Sequence, residues 1–245
     1  MDIEFSNNLT SEQKAFKDSA NLFAKQNIAP YADSWDEKKE FPLKAFKEAG
    51  KMGFAGVYIP ESHGGIGLTR LDASIIFEEL AAFCPSTSAF LTIHNMASWM
   101  VSQFGCTSLR DKYLPSLVRM DKIASYCLTE ANSGSDANSL KTKGISLKDN
   151  HNILVNGSKS FISGAGISDI YLTMVKTEID ENLGISCLLV EKETKGLKFG
   201  KNEKKMGWNN QPTAAVIFDN CKIPRANIVG KLGQGFKIAM QGLDG

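Results

Sequence analysis

The chain has little of several features that define large classes of protein. Its 245 residues contain no apolar run that approaches the roughly 18 residues needed to span a bilayer, so we expect no membrane insertion. Its formal net charge is only +1, which gives no electrostatic reason to expect nucleic acid as a partner. Its 3 histidines and 5 cysteines form no C-x-x-C or H-x-x-x-H spacing, so we expect no metal site.

Common catalytic and targeting patterns are also missing. No G-x-S-x-G elbow occurs, so serine hydrolase chemistry has no support. The glycine-rich stretch Pro60–Leu68 contains neither G-x-G-x-x-G after a strand nor G-K-[ST], and we interpret it as a structural turn between helices. The first residues, Met1–Glu4, carry two acids and no arginine, so they match neither a signal peptide nor a mitochondrial transit peptide.

The hydrophobic period changes once along the chain. Helical spacing with caps and stops predicts an N-terminal α-helical domain over residues 1–122. Short runs rich in Val, Ile and Phe, separated by turn residues, then predict a compact antiparallel β-domain over 123–230, a small barrel or sandwich. A new helix begins at Gly235, so residues 231–245 are expected to start a further helical domain that is cut off. The predicted fold class is α+β.

The most informative segment follows the first β-run. It reads Tyr126-Cys-Leu-Thr-Glu-Ala-Asn-Ser-Gly-Ser-Asp136. Taken singly, Thr129, Gly134 and Ser135 are typical of an ordinary strand that ends in a turn. Together they offer small hydroxyls and backbone N–H groups that a phosphate can approach, which suits a phosphate-bearing ligand.

A second segment follows about thirty residues later. It reads Asn156-Gly-Ser-Lys-Ser-Phe-Ile-Ser-Gly164 and predicts a strand, a turn at Asn156-Gly157 and a second strand. This arrangement delivers Phe161, Ile162 and Ser163 together. An aromatic ring beside small hydroxyls suits a flat cofactor that forms hydrogen bonds, although the segment alone is also typical of a strand with one core aromatic.

The two segments together resemble those of the acyl-CoA dehydrogenases, flavoenzymes that oxidise an acyl-CoA to its 2,3-enoyl product. The resemblance runs from about Leu9 to the last residue and implies an N-terminal α-domain, a middle β-domain and a C-terminal four-helix domain. Ala131 stands where the family usually has proline. The resemblance implies FAD as cofactor, held by Tyr126, Cys127, Leu128, Thr129, Gly134, Ser135, Phe161, Ile162 and Ser163.

Further matches concern the substrate. By resemblance Ser135 also lies at the acyl-CoA, and Asp244 belongs to a segment that contacts the CoA moiety, so both are expected to bind substrate. The segments Ile93–Met96 and Gly207–Thr213 resemble the branch of the family that oxidises isobutyryl-CoA, a short branched acyl-CoA of valine breakdown. Two interpretations of His94 stay open: a buried, hydrogen-bonded histidine, or part of a helix that lines the acyl pocket.

The resemblance places the catalytic base, a glutamate, in a C-terminal domain beyond Gly245. No catalytic residue is therefore expected within this chain, and the chain alone is expected to be inactive. Glu130 lies in the flavin-binding segment rather than at the position of the base. The rival interpretation is a non-catalytic remnant that binds a flavin or a partner. The resemblance also implies an electron-transfer flavoprotein as partner, a homotetramer for the full-length form, and the mitochondrial matrix as location.

Overall fold

The structure, a computed structural model, describes residues 9–147, 151–179 and 182–244. Its helices are α1 Ser11–Asn27, α2 Ala32–Lys38, α3 Leu43–Lys51, α4 Arg70–Ala81, α5 Pro85–Phe104, α6 Thr107–Val118 and α7 Gly235–Leu243. Its strands are β1 Ala124–Cys127, β2 Lys143–Ser146, β3 Asn152–Ser163, β4 Ile170–Ile179, β5 Asn182–Glu191, β6 Leu197–Phe199, β7 Thr213–Pro224 and β8 Ile228–Val229. Within the described ranges, no helix has both the length and the apolar character to cross a membrane.

Local sequence explains where the helices begin. At α1 the Thr10 hydroxyl accepts a hydrogen bond from the amide of Gln13 at 3.1 Å, and the Gln13 side chain accepts one from the Thr10 amide at 3.2 Å. This reciprocal capping box satisfies two donors that the helix would otherwise leave unpaired. Thr69 and Asp72 form a second such box at the start of α4. Helix α5 has proline in its first turn, where no backbone donor is lost, and Gly105 as its C-cap.

The strands form one sheet in the order β6-β7-β3-β2-β4-β5-β8, and β1 pairs with β4 outside that path. Alternate residues of β4 contribute to two different hydrophobic clusters. One, the helix-facing cluster, is built around Met100, Leu172 and Ile238 and joins the sheet to α5, α6 and α7. The other, the inner cluster, is built around Tyr171 and Val216 and lies among the strands. The sheet therefore has two buried faces, and the helical part of the chain covers one of them.

The predicted order of a helical part, a sheet and a new helix is confirmed, and so is the α+β class. Most of the strand pairs are antiparallel, as predicted, but β1 and β2 each run parallel to β4. The prediction of a turn at Asn156-Gly157 between two strands is wrong. Residues 152–163 form one continuous strand with two register shifts against β7, at 155/157 and at 159/162. Pairing with a distant strand overrides the local turn signal, and β-bulges absorb the extra residues.

Two elements have no counterpart in the sequence prediction. Helix α2 has a polar sequence without an apolar stripe, and none of its residues is buried. Strand β2 is four residues long and mostly exposed. Strand β7 continues as far as Pro224. Helix α7 begins at Gly235, as the sequence predicts.

Candidate functional site

The structure brings the two segments singled out in the sequence into direct contact. Beyond the end of β1, the carbonyl oxygen of Thr129 accepts a hydrogen bond from the amide of Ser160 at 2.8 Å. The carbonyl oxygen of Leu128 accepts one from the ammonium of Lys159 at 3.1 Å. The first segment therefore lies along the bulged part of β3.

A buried ion pair holds this junction together. The ammonium of Lys159 lies 2.8 Å from Oε1 of Glu130, and the two side chains are only 0% and 10% exposed. The Glu130 carboxylate also accepts hydrogen bonds from the backbone amides of Lys141 at 2.6 Å and Thr142 at 2.9 Å. Burial opposes ionisation of Glu130, but these hydrogen bonds outweigh it and lower its pKa to about 2. One carboxylate thus ties three stretches of chain to each other.

The turn after Glu130 is tight and presents its tip to solvent. The amide of Glu130 donates to the carbonyl of Ser133 at 3.0 Å, and the amide of Ser133 donates to the carbonyl of Glu130 at 3.1 Å. The Ser133 hydroxyl donates to the carbonyl of Asp136 at 2.6 Å. Gly134 and Ser135, which follow, are exposed. A Cβ atom added to Gly134 would meet no atom within 4 Å. The fold itself therefore leaves open space at this glycine.

Phe161 is held in an unusual conformation. Its φ is +60°, in the left-handed region that bulky residues rarely adopt, and its side chain is 64% exposed. It lies at the second bulge of β3, between Lys159 and Ile162. Backbone strain of this kind persists where the surrounding structure imposes it, and it is concentrated at functional sites. The bulge turns an aromatic ring outward while the next side chain enters the core.

The predicted cofactor residues divide between the two faces of the sheet. The side chains of Cys127 and Ile162 lie in the inner cluster, where burial raises the pKa of the Cys127 thiol to about 12. Only their backbone could meet a ligand on the other face. Leu128 belongs to the helix-facing cluster and Tyr126 packs against it. The hydroxyl of Thr129 enters no hydrogen bond with the described residues.

Among the buried side-chain nitrogen and oxygen atoms of the described residues, two have no hydrogen-bond partner: Oη of Tyr126 and Oε1 of Gln211. Burial also raises the pKa of Tyr126, so its hydroxyl is neutral. Unpaired buried polar atoms are rare in native proteins and often mark a place where a ligand or water completes the structure. Tyr126 belongs to the first predicted segment, whereas Gln211 was not among the predicted site residues.

The Gly207–Thr213 stretch lies beside the second segment. Ser163 of β3 pairs directly with Thr213 of β7, and the amide of Gly164 donates to the carbonyl of Pro212 at 2.8 Å. Ile162 and Ala214 pair next to them and belong to the inner cluster, so Ser163 and Thr213 lie on the opposite face of the sheet. The sequence could have assigned Gly207–Thr213 to this site only through the long-range pairing of β3 with β7.

The tip of this stretch reaches across to the helices. The Lys205 ammonium donates to the carbonyl of Trp208 at 2.7 Å, and the side-chain amide of Asn209 donates to Asp36 of α2 at 3.0 Å. The backbone amide of Asn209 donates a second hydrogen bond to the same carboxylate at 2.7 Å, and these two bonds lower the pKa of Asp36. Trp208 has φ +58° and a half-exposed side chain. These bonds fix the backbone at Trp208 and at the residue that follows it.

Trp208 forms part of the wall of a cavity of about 830 Å³. Helices α4 and α5 supply most of the remaining wall, including the side chains of Ile93 and Met96, and the last turn of α7 contributes Leu243. Arg70 also lines the cavity, and its guanidinium lies 3.6 Å from the centre of the Tyr58 ring and 4.6 Å from that of Trp99. Asp244, an expected substrate residue, is exposed at the end of α7 directly after this wall.

His94 is a buried structural residue. Its Nε2 lies 3.0 Å from the carbonyl oxygen of Leu117, and its Nδ1 accepts a hydrogen bond from the amide of Ala124 at 3.1 Å. Burial lowers its pKa to about 4, so the ring is neutral, with the proton on Nε2. Its neighbours Thr92, Ile93 and Met96 line the cavity. The first interpretation therefore holds for His94, and its helix lines this cavity; that the cavity is an acyl pocket stays a prediction.

No group of three or more His, Cys, Asp or Glu side chains in the described part of the chain could hold a metal ion.

Models of two domain families match the sequence. The acyl-CoA dehydrogenase N-terminal domain matches residues 10–121, and the acyl-CoA dehydrogenase middle domain matches residues 125–221.

The chain is also similar to individual proteins. Mitochondrial isobutyryl-CoA dehydrogenase of Dictyostelium discoideum is 53% identical over 238 residues, which are 97% of this chain and 57% of that protein. The Bos taurus protein of the same name is 51% identical over 243 residues, 99% of this chain and 58% of that protein. A crystal structure of an acyl-CoA dehydrogenase from Bacillus anthracis complexed with FAD has a TM-score of 0.90 at 30% identity, covering 97% of this chain and 40% of that one. This chain thus spans less than three fifths of the length of these curated relatives.

Proposed function

This chain belongs to the acyl-CoA dehydrogenase family, and from that premise we propose that the whole protein is an FAD-dependent oxidoreductase that converts isobutyryl-CoA, or a similarly short branched acyl-CoA, to its 2,3-enoyl product. The observation that carries the proposal is the junction of residues 126–135 with 159–163, joined by the Lys159–Glu130 pair. The Gly207–Thr213 stretch, which pairs with β3 through Thr213, contributes Trp208 to the wall of the 830 Å³ cavity. We also propose 1–122, 123–230 and 231–245 as domain boundaries.

Features of the chain at this junction fit a flavin. The buried hydroxyl of Tyr126, which has no partner among the described residues, can form a hydrogen bond with a ligand. The open space at Gly134 leaves the backbone accessible to a phosphate, as glycine permits. Phe161 offers an exposed, positioned aromatic ring. We therefore propose that Tyr126, Cys127, Leu128, Thr129, Gly134, Ser135, Phe161, Ile162 and Ser163 hold FAD, with Cys127 and Ile162 acting through their backbone.

The cavity supports the choice of substrate class. Its wall includes Ile93, Met96 and Trp208, which come from the two stretches that resemble the isobutyryl-CoA branch. We propose that the acyl group binds against these side chains, while Ser135 and Asp244 contact the CoA moiety. An apolar wall discriminates acyl chains by about 1–3 kcal/mol for each methylene that does not fit.

The chemistry divides between cofactor and protein. When bound, FAD supplies the acceptor for the hydride lost from the acyl β-carbon. Glu130 is not a suitable base for the α-proton, because its pKa of about 2 makes it weakly basic and its oxygens are held by Lys159 and two backbone amides. We place the base outside the 245 residues, as the resemblance implies. The residues of this chain then bind and orient the flavin and the thioester.

We further propose an electron-transfer flavoprotein as the physiological electron acceptor, a homotetramer as the assembly and the mitochondrion as the location. The names of the two isobutyryl-CoA dehydrogenases similar to this chain support the location. The assembly and the acceptor rest on the family resemblance.

The proposal is tested by anaerobic mixing of the FAD-loaded whole protein with isobutyryl-CoA while the visible flavin absorbance is followed. We expect rapid bleaching, and a kcat/KM for octanoyl-CoA at least about tenfold lower than for isobutyryl-CoA. Absence of bleaching with any acyl-CoA would contradict the proposed reaction. Equal kcat/KM values for the two substrates would contradict the proposed preference for a short branched acyl-CoA, while the proposed dehydrogenase activity would stand.

A further inference from the structure

We propose that Gln211 is a cofactor-binding residue whose side-chain oxygen accepts a hydrogen bond from the flavin. This inference rests on the proposed function, because it names a further contact of the same site. The observation behind it is that Oε1 of Gln211 is a buried acceptor with no partner among the described residues, in a side chain that is only 3% exposed.

The position of Gln211 is fixed relative to the second predicted segment. It precedes Pro212, whose carbonyl accepts the amide of Gly164, and Thr213, which pairs with Ser163. Ser163 is expected to reach the flavin, and it shares with Thr213 the face of the sheet opposite the inner cluster. Gln211 therefore lies within two residues of the paired strands on which the cofactor is proposed to rest.

The ammonium of Lys205, which bonds the backbone of Gln211, is not available to pair with the Gln211 side-chain oxygen. The ammonium of Lys205 donates to the carbonyl of Trp208 at 2.7 Å, to the carbonyl of Gln211 itself at 2.7 Å and to the hydroxyl of Thr213 at 2.9 Å. These three bonds use all three donors that a lysine possesses. Lys205 thus fixes the backbone of Gln211 and does not pair with its side-chain oxygen.

The chemistry of the free atom defines what can bind it. An amide carbonyl oxygen accepts hydrogen bonds and cannot donate them. A flavin carries two kinds of matching donor, the imide N–H of its ring and the hydroxyls of its ribityl chain. A phosphate or a thioester carbonyl offers only acceptors at this position and would not satisfy the Gln211 oxygen. The donor is therefore assigned to the flavin rather than to the acyl part of the substrate.

Gln211→Met separates this role from a structural one, because methionine keeps the length of the side chain but removes the polar group. Without flavin, we expect the variant to be more stable, with a Tm higher by about 2–4 °C, since an unpaired buried acceptor has been removed. With flavin, we expect the dissociation constant for FAD to rise about tenfold, since one hydrogen bond is lost. A purely structural glutamine would not produce these opposite changes.

The measurements are thermal unfolding of the flavin-free whole protein and a calorimetric titration with FAD. Gln103→Met, the same change at an exposed position of α5, is the control and should alter neither quantity. Repeating the titrations with 3-methyl-FAD, which lacks the ring N–H, assigns the donor. If wild type binds 3-methyl-FAD about tenfold more weakly than FAD, and Gln211→Met binds the two equally well, the donor is the ring N–H. If wild type still binds 3-methyl-FAD about tenfold more tightly than Gln211→Met does, the donor is a ribityl hydroxyl.

Two outcomes are kept apart. If wild type binds FAD and Gln211→Met binds it equally well, the contact with Gln211 is wrong while the proposed function stands. If wild type binds no FAD, the proposed function itself fails. A lower Tm for the flavin-free variant would also overturn the inference, because it would mean that the Gln211 oxygen already has a partner in the protein.

Discussion

Replacing Lys159 with methionine should destabilise the protein strongly and disrupt the proposed flavin site. The change preserves the length of the side chain but removes the ammonium that bonds Glu130 at 2.8 Å and the Leu128 carbonyl at 3.1 Å. The Glu130 carboxylate would then remain in a largely buried position without its counter-charge. Breaking a buried ion pair from one side commonly costs about 3–5 kcal/mol.

The magnitude at this site should lie at the lower end of that range. Glu130 keeps two hydrogen bonds from the backbone amides of Lys141 and Thr142, so its charge is not left without donors. We therefore expect a loss of about 3 kcal/mol, which corresponds to a decrease in Tm of about 6–12 °C for a protein of this size. Glu130→Gln in the same molecule should recover part of the loss, because no buried charge then remains unpaired.

The assay is thermal and urea unfolding, together with an FAD titration. Lys198→Met is a matched control, because Lys198 and Asp219 form an ion pair of the same 2.8 Å length with both side chains more than half exposed. Such a pair contributes little, so the control should change stability far less. If Lys159→Met destabilised the protein no more than Lys198→Met, the buried pair would not organise this junction.

Other predictions concern pH and strain. Burial lowers the pKa of His94 to about 4, against about 6.5 in the unfolded chain. Between these pH values the unfolded chain therefore binds more protons than the folded one. About 3 kcal/mol of stability, fully present above pH 6.5, should be lost as the pH falls towards 4. Urea unfolding of His94→Gln should show a flatter pH dependence than wild type, and an unchanged pH dependence would contradict this account. Phe161→Gly should relieve the left-handed strain and raise Tm by about 2–4 °C while weakening FAD binding; a lower Tm would contradict the assignment of strain.

Local signals in the sequence predicted the order of elements and the start of α7 correctly. The capping pattern at Thr10 and the start of α7 at Gly235 depend on residues within one helical turn, so the sequence alone contains them. The Asn156-Gly157 pair was misleading because Gly157 pairs with Phe218, far along the chain, and continues the strand through a bulge. A local turn signal cannot report that pairing.

The candidate site was partly predictable for the same reason. The two segments could be singled out by residue type, but the burial of Lys159 could not be predicted, since a lysine in a strand is normally exposed. Its partner Glu130 lies 29 residues earlier in the chain. Gln211 was missed because its significance depends on burial and on an absent hydrogen-bond partner, which are properties of the fold rather than of the sequence.

The most direct test of the central claim, that residues 126–135 and 159–163 form a flavin site, is an FAD titration of Gly134→Leu in the whole protein. A side chain at this position meets no protein atom within 4 Å of its Cβ, so the Tm of the flavin-free protein should match that of wild type. Asn138→Leu, which adds the same side chain at an exposed position of the same loop, controls for a new surface leucine. We predict that Gly134→Leu weakens FAD binding at least about tenfold, by blocking access to the backbone, while Asn138→Leu does not. Wild-type affinity in Gly134→Leu would contradict the location of the site.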